Sequence, residues 1–238
     1  MAKLKCLSSG SSGNAYILEC NGERLLLELG IKWNDILRGL NYDLSNITAC
    51  LVSHIHNDHS KSVPNALKSG LSVFSNKEVG SIYKGVKVLP VGVKTKIGGF
   101  KVQPLPLKHN VENYGFITTT ADDNKIVFAT DAAEFRYKIR GVHHWLIECN
   151  HCEELMLEHA LNNVYSMSAS ENHLEIKQTV DVLKNNFCVD TQTIVLCHLS
   201  QGNADKKEFE QRVKNELAFS NVFVAQPNLE IELNRSEF

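Results

Sequence analysis

Short apolar runs rich in β-branched residues recur along the chain, and turn signals separate them. Asn21-Gly22, Gly98-Gly99 and Asp122-Asp123-Asn124 are typical of connections between hairpin strands. The runs predict strands at 3–7, 15–20, 24–29, 47–53, 86–89, 100–107, 115–120, 125–129, 145–149, 193–197, 221–224 and 229–233. The chain is therefore strand-rich throughout its length.

Segments with helical periodicity lie between these strands. They predict helices at 60–69, 153–162, 170–186 and 205–217. Each half of the chain places strands first, then a helix, then a strand that ends in histidine. This order favours two sheets packed face to face with helices outside, an α/β (α+β) class. No linker-like stretch interrupts the pattern, so we expect residues 1–238 to form one domain.

Composition and charge narrow the class of protein. The 238 residues carry a formal net charge of −2, which does not indicate a surface coated for nucleic acid. We interpret the basic stretches 84–87 and 94–96 as solvated edges rather than a nucleic-acid track. No run approaches the ~18 apolar residues of a membrane span. Seven cysteines without framework spacing indicate reduced thiols, so we expect a cytoplasmic protein with no membrane partner.

Four metal-capable side chains lie within six residues at His54-Ile55-His56-Asn57-Asp58-His59, directly after the buried-strand pattern at 49–52. Residues two apart share a face of a strand, so His54 and His56 can point at one ion. A turn after the strand can bring Asp58 and His59 to a neighbouring point. Imidazole favours zinc and similar metals, and a carboxylate in the set favours a site that keeps a water.

Further ligand types follow three other predicted strands. His109 follows 100–107, Asp131 follows 125–129 and His198 follows 193–197. Together with the first cluster these side chains are too many for one tetrahedral ion and suit two. The natural division places His54, His56 and His109 on one ion, Asp58, His59 and His198 on the other, and Asp131 between them. Two ions ~3.5–4 Å apart clamp the attacking and leaving oxygens of a phosphodiester.

The motif at 54–59 matches the H-x-H-x-D-H signature in full, and the chain resembles metallo-β-lactamase-fold hydrolases. It is most similar to the small YycJ/WalJ-like branch, which is related to RNase Z, the β-CASP nucleases and small cyclic-nucleotide phosphodiesterases. Further motifs that carry the resemblance are 7–14, 148–151, 172–174 and 197–200. The resemblance implies an αββα sandwich, hydroxide-mediated hydrolysis and the ligand set given above.

Two positions depart from the family pattern. Glu28-Leu29-Gly30 stands where the family usually has Asp, whose carboxylate supports the histidine cluster through hydrogen bonds. Because Glu is one methylene longer, we expect that support to be rearranged or weakened at Glu28. Asn172 stands where the branch commonly has Gly before His-Leu.

Other side chains are candidates for contact with substrate. His173, predicted near the start of a helix, could bind a phosphate oxygen or protonate a leaving alkoxide. Two interpretations of the loop 8–14 are equally good. It could form an anion-binding nest, with Ser11 and Asn14 as contacts, or a tight connection between strands. Asn150 is interpreted as an element of the rim of the active site. His143 and His144 are expected at the surface.

The leading hypothesis is a two-metal phosphodiester hydrolase that acts as a nuclease on DNA or RNA. In it, Asp58 orients the attacking hydroxide and His173 assists the leaving group. A phosphodiesterase that opens small cyclic nucleotides is the alternative, since no substrate-gripping arm is evident. Acyl hydrolysis of lactones, thioesters or β-lactams and a metal-free binding module also stay open. Zinc is the default ion and manganese an alternative, and a homodimer that completes each active site stays open.

Overall fold

Two seven-stranded sheets form the centre of the protein in the computed structural model, which describes residues 1–160 and 171–234. The first sheet contains β1 (Ala2–Ser8), β2 (Ala15–Cys20), β3 (Glu23–Leu27), β4 (Ile47–Leu51), β5 (Val73–Ser75), β6 (Lys87–Val88) and β14 (Glu230–Leu233). The second contains β7 (Thr95–Ile97), β8 (Phe100–Leu107), β9 (Asn113–Thr119), β10 (Lys125–Ala129), β11 (His144–Glu148), β12 (Thr193–Cys197) and β13 (Asn221–Val224). Their orders are β14-β1-β2-β3-β4-β5-β6 and β13-β12-β11-β10-β9-β8-β7.

Helices cover the outer faces of both sheets. They are α1 (Trp33–Gly39), α2 (Asn57–Ser60), α3 (Val63–Lys68), α4 (Lys77–Ile82), α5 (Glu153–Ala160), α6 (Ile176–Asn186) and α7 (Lys206–Glu216). Ile36 of α1 and Val63 of α3 pack in one apolar cluster with residues of the first sheet. Leu183 of α6 and Phe209 of α7 pack in another cluster with residues of the second sheet. The predicted αββα sandwich is therefore confirmed.

A third apolar cluster fills the space between the sheets. Tyr16 of the first sheet meets Phe128 of the second edge to face, with ring centroids 5.8 Å apart. Both rings are almost completely buried. This contact ties the two sheets together below the rim at which their strands end.

Strand direction decides where the loops of the two sheets meet. Strands β3 to β6 are mutually parallel, and so are β10 to β13. Strand β8 runs in the same direction as β10, because both pair antiparallel with β9. The carboxyl ends of β4, β8, β10, β11 and β12 therefore open onto one rim, the usual place for a ligand in sheets of this kind.

Short elements account for the differences from the predicted pattern. Strands β5 and β7 and helices α1 and α4 were not predicted, and each spans seven residues or fewer. The helix predicted at 60–69 is the pair α2 and α3. Residues 161 and 162 of the helix predicted at 153–162, and residue 170, lie outside the described part of the chain.

Helix α6 begins later than predicted, at Ile176. Glu175 caps it in a capping box with Gln178, which satisfies the first free amides of the helix. His173 consequently lies in the turn before the helix and not within its first turn.

The prediction that His143 and His144 lie at the surface is wrong, because both are buried. His144 Nε2 lies 2.9 Å from Asn124 Oδ1, and the backbone amide of Lys125 donates to His143 Nδ1 at 3.0 Å. These two histidines hold the β9–β10 turn against the start of β11. Among the described residues, no helix combines the length and apolar character needed to cross a membrane.

Removal of the Phe128 ring should destabilise the sandwich. Phe128→Ala leaves a cavity between the sheets and is expected to lower the free energy of unfolding by about 3–5 kcal/mol, measured by urea denaturation. Phe219→Ala is the matched control, since that ring is 90% exposed and its loss should change stability by less than about 0.5 kcal/mol. Equal effects of the two changes would contradict this view of the core.

Candidate metal centre

The rim brings together all the metal-ligand candidates named from the sequence. They form two groups, in each of which the candidate ligand atoms lie within 4.8 Å of one another. One group is His54, His56, His109 and Asp131, and the other is Asp58, His59, Asp131 and His198. Asp131 is common to both groups, as the division of ligands from the sequence required.

In the first group, ring nitrogens converge without an intervening protein donor. His54 Nε2 lies 3.0 Å from His56 Nδ1, and His56 Nδ1 lies 3.3 Å from His109 Nε2. Asp131 Oδ2 closes the group at 3.7 Å from His54 Nε2. In two of the rings the nitrogen that points away from the group is also held. His54 Nδ1 lies 2.8 Å from the Ser53 hydroxyl, and His109 Nδ1 lies 3.1 Å from the Asn172 carbonyl.

In the second group, two carboxylates face two imidazoles. Asp131 Oδ1 lies 3.3 Å from His59 Nε2 and 3.5 Å from His198 Nε2. Asp58 Oδ2 lies 3.3 Å from His59 Nε2 and 3.4 Å from His198 Nε2. The two oxygens of Asp131 thus face different groups, which is the geometry of a bridging carboxylate.

Backbone contacts fix the short helix α2, which carries Asp58 and His59. The amide of Leu29 donates to the His59 carbonyl at 2.8 Å, and that of Asn14 donates to the Asp58 carbonyl at 2.8 Å. Gly30 packs so closely on this helix that an added Cβ would lie 1.6 Å from the Asp58 carbonyl oxygen. Glycine is required at position 30 because any side chain would displace Asp58.

Three non-glycine residues of the site adopt the left-handed backbone conformation. They are Glu28, Asp131 and His198, with φ angles of 66°, 51° and 52°. This conformation is unfavourable for residues with a Cβ and persists only where the surroundings enforce it. Asn113 Nδ2 donates to the Asp131 carbonyl at 2.7 Å, and the Ser9 hydroxyl accepts from the His198 amide at 2.9 Å. The fold therefore holds these ligands in orientations that extended strands would not provide.

Glu28 lies beneath the cluster but does not hydrogen-bond to it directly. Its carboxylate oxygens accept from the Ser53 amide at 3.2 and 3.3 Å, while Oε1 is 3.6 Å from His59 Nδ1. That ring nitrogen is buried and has no hydrogen-bond partner among the described residues. The longer side chain at position 28 thus supports the backbone that leads into His54.

Glu148 is the residue of the site that the sequence analysis left without a role. Its carboxylate is fully buried, and Oε1 lies 2.6 Å from His173 Nδ1 and 3.2 Å from His198 Nδ1. Oε2 accepts from the amides of Ala132 at 2.9 Å and Leu174 at 3.1 Å. The sequence did contain a signal for Glu148. It ends an apolar strand, and the ligand candidates also lie at or just after the ends of apolar strands. Carboxylates that hold the second nitrogen of a metal-binding histidine are a common support in metalloproteins.

His173 lies at the mouth of the site. Its ring stacks on that of His198, with centroids 5.3 Å apart and planes 16° apart, and 19% of its side chain is exposed. With Nδ1 held by Glu148, Nε2 is the ring nitrogen left for a substrate. Burial alone lowers the pKa of His173, but the Glu148 carboxylate outweighs it and raises the pKa above its ordinary value.

Asn14 and Asn150, expected as substrate contacts, are buried and hold other parts of the site. Asn14 Oδ1 accepts from the Gly10 amide at 2.9 Å, and its Nδ2 lies 3.2 Å from His59 Nε2. Asn150 Nδ2 donates to the His198 carbonyl at 2.9 Å. These contacts show that both side chains position other residues of the site, and a substrate role for them stays a prediction. Ser11 is exposed in its turn, where contact with a substrate remains a prediction.

The electrostatics of the cluster fit divalent ions. Burial lowers the pKa of His54 well below its ordinary value, which favours the neutral, ligating imidazole. Burial raises the pKa of Asp131, but His198 and His59 outweigh it and hold the pKa well below the usual range. Burial lowers the pKa of His198, yet the surrounding carboxylates raise it to about 10. Without an ion, protons on imidazole supply the positive charge that these buried carboxylates need, and divalent ions would replace them.

Comparisons with known proteins identify chains of similar sequence and fold. Residues 6–63 match the family model described as Anti-Pycsar protein Apyc1. The chain is 25% identical over 237 residues to the exodeoxyribonuclease WalJ of Streptococcus pneumoniae, covering 91% of this chain and 88% of WalJ. The solved metallo-beta-lactamase fold protein YhfI from Bacillus subtilis superimposes with a TM-score of 0.76 at 14% identity, covering 98% of this chain and all of YhfI. The short form of human tRNase Z superimposes with a TM-score of 0.70 at 15% identity, covering 98% and 99% of the two chains.

Loss of the Glu148 charge should weaken metal binding. Glu148→Gln keeps the shape of the side chain but removes the carboxylate that orients His198, and metal affinity is expected to fall about 10–100-fold in a chelator competition. Glu153→Gln, an exposed change at the start of α5, is the matched control and should leave the affinity unchanged. Equal affinities of wild type and Glu148→Gln would show that His198 does not depend on Glu148.

Proposed function

Because the chain is a metallo-β-lactamase-fold protein, we propose that it is a two-metal phosphodiester hydrolase that acts as a nuclease on DNA or RNA. The observation that carries this proposal is Asp131, whose two oxygens face two separate groups of ligand atoms. The similarity to an exodeoxyribonuclease over 91% of the chain and the fold shared with tRNase Z support phosphorus as the reacting centre.

Hydrolases of this fold use divalent metal ions, and the donor set here fits two. We propose His54, His56, His109 and Asp131 for one ion and Asp58, His59, His198 and Asp131 for the other. When bound, the ions would lower the pKa of water and offset charge on the phosphate oxygens. Zinc is the ion we propose, because imidazoles dominate the set, and manganese is the second choice.

The side chains around these groups divide the remaining tasks. Asp58, whose side chain is 24% exposed, lies at the mouth of the second group and is proposed to orient the attacking oxygen. His173 Nε2 is proposed to donate a proton to the leaving alkoxide. Glu148 accepts from Nδ1–H of the same ring, so Nε2 faces the substrate, and the doubly protonated ring would present Nε2–H there. Glu148 also balances the positive charge on His173 before the transfer.

Phosphodiester opening of small cyclic nucleotides is the second candidate. The match of residues 6–63 to the Apyc1 family model favours it over acyl hydrolysis, for which the site offers no specific observation. The metal-free alternative is weakened by the complete ligand set. A turnover screen of linear DNA, linear RNA and cyclic mono- and dinucleotides separates the candidates.

Location and assembly are further parts of the proposal. Seven free cysteines, six of them buried, support a reducing compartment, and we propose the cytoplasm. We also propose a homodimer, by analogy to the frequency of twofold assemblies among soluble enzymes. Sedimentation of the metal-loaded protein tests it.

Asp131→Ala should abolish turnover of bis(p-nitrophenyl) phosphate, because it removes an oxygen from each ligand group at once. Bound metal should fall from about two equivalents to one or fewer, measured by elemental analysis. Asp190→Ala, an exposed change, is the control and should retain both activity and metal. Retained turnover in Asp131→Ala would overturn the two-metal proposal.

His173→Ala tests the proton donor through the leaving group. A nucleic-acid alkoxide needs a proton to leave, whereas p-nitrophenolate leaves without one. We therefore expect kcat to fall about 10²–10⁴-fold on an oligonucleotide but far less on bis(p-nitrophenyl) phosphate, with metal content unchanged. A parallel fall on both substrates would assign His173 to the integrity of the site and not to proton transfer.

A further inference from the structure

Both sheets end on the same side of the sandwich. Strand β6 is the last strand of the first sheet and β7 the last of the second, and residues 89–94 connect them. Leu89 and Ile97, on either side of this connection, are buried in the cluster between the sheets. We call this side, from Lys77 to Lys101, the lysine edge.

The lysine edge concentrates positive charge that the fold offsets only in part, through the Glu112 carboxylate at the Glu78 amide and the Glu23 carboxylate at the Gly99 amide, both at 2.9 Å. Between 77 and 101, six lysines stand against one glutamate, a formal charge of +5 in a chain of net charge −2. All six are exposed, and they are Lys77, Lys84, Lys87, Lys94, Lys96 and Lys101. Within the described chain none of them forms an ion pair. Elsewhere nine basic residues lie within ion-pair distance of a carboxylate, while others, such as Lys206 and Lys207, are in no such pair with any described residue. The nine are Lys3, Lys5, Arg24, Arg38, Lys108, Arg136, Lys177, Lys184 and Lys214.

Two of these lysines repel each other across a strand pair. Lys96 of β7 lies directly opposite Lys101 of β8 in the antiparallel register. Like charges placed directly opposite destabilise a sheet, and an opposite charge at either position would stabilise it. The pair therefore opposes folding by a modest amount.

Large apolar side chains accompany the lysines. Ile82, Val88, Val91 and Val93 are exposed by 54%, 44%, 52% and 51%. They follow one another along α4, β6 and the connection to β7. The edge thus offers aliphatic surface beside ammonium groups.

A buried hydrogen bond ties the start of the lysine edge to the metal centre. Asn76, which caps α4, donates through Nδ2 to the Ser53 carbonyl at 2.9 Å, and Ser53 directly precedes His54. Lys77 follows Asn76 at the start of α4. A chain that leaves the metal centre over α4 would meet the first lysine at once and the others farther along the edge.

We propose that the lysine edge binds the backbone of a single-stranded nucleic acid whose scissile phosphodiester lies at the metal centre. The proposal rests on the proposed function and deepens it, since a small cyclic nucleotide would not reach the edge. Lysines spaced over four elements suit successive phosphates, and the exposed aliphatic side chains offer apolar contact to unstacked bases. A duplex presents phosphates but not base faces, so a single strand fits better. The edge also carries no exposed tryptophan or phenylalanine of the kind that anchors proteins in membranes.

The test compares two pairs of charge reversals that change the net charge equally. Lys96→Glu/Lys101→Glu alters the edge and keeps the like-charge repulsion across the strands, so the fold loses nothing new. Lys206→Glu/Lys207→Glu alters exposed lysines in the first turn of α7, where acidic residues are tolerated. Fluorescence anisotropy measures binding of labelled single-stranded DNA and RNA of one sequence in the Asp131→Ala background, which should not cut the strand.

The edge pair should weaken binding about tenfold and reduce the slope of log Kd against log salt by about 1.4, at about 0.7 per phosphate contact. In the active protein the same pair should raise KM for the strand but leave turnover of bis(p-nitrophenyl) phosphate unchanged. The α7 pair should change none of these. Which of the two strands loses affinity identifies DNA or RNA as the ligand.

Three results would overturn the lysine edge as a nucleic-acid site. They are unchanged affinity in the edge pair, equal losses in both pairs, and loss of binding to phosphatidylserine vesicles without loss of binding to the strands. Failure of the proposed function would give a different result, because wild-type protein would then hydrolyse neither the strands nor bis(p-nitrophenyl) phosphate. In that case anisotropy would still show whether the lysine edge binds nucleic acid.

Discussion

The site depends on buried negative charge that must meet positive charge at the rim of two sheets. Asp131, Glu28 and Glu148 are all buried, and imidazole rings surround them. Ionised carboxylates in such a place are costly unless they are paired and hydrogen-bonded. The strand ends are arranged around this requirement, since each sheet contributes ligands and neither alone could balance the charge.

The backbone around these carboxylates adopts unfavourable conformations that bring the buried charges together. Glu28, Asp131 and His198 adopt left-handed conformations at the ends of three strands. Hydrogen bonds with Ser9, Asn113 and Asn150 hold Asp131 and His198 in place. Strain of this kind is concentrated at functional sites because the surrounding fold supplies the compensating contacts. Side chains far from any substrate are therefore part of the metal centre.

Sequence patterns predicted the strongly periodic elements and the ligand types. Strands β2, β8, β10, β12 and β13 lie at the predicted residues, because alternation and β-branched content are clear there. Strand β5 has three residues, too few to show a period, and α1 lacks a side-chain cap that would mark its start. The histidine and aspartate candidates could be named because each follows an apolar strand.

The contacts of Asn14, Asn150 and Glu148 could not be predicted, since they join residues distant in the chain. Asn14 reaches His59 and Asn150 reaches His198 only after the sheets have packed. The lysines were assessed as separate stretches and interpreted as solvated. Only the sheet order places 84–87 and 94–96 on one side of the sandwich.

One oxygen of Glu148 serves two rings, and this has a consequence for how the protein could be altered. His198 belongs to the second of the two proposed ligand groups and His173 to neither of those two, yet both hydrogen-bond to Oε1. Any change in charge density at that oxygen is felt by both rings together. Metal binding at His198 and the pKa of His173 are therefore linked. Selection or engineering that adapts the protein to a different ion would shift the pKa of His173 as a by-product.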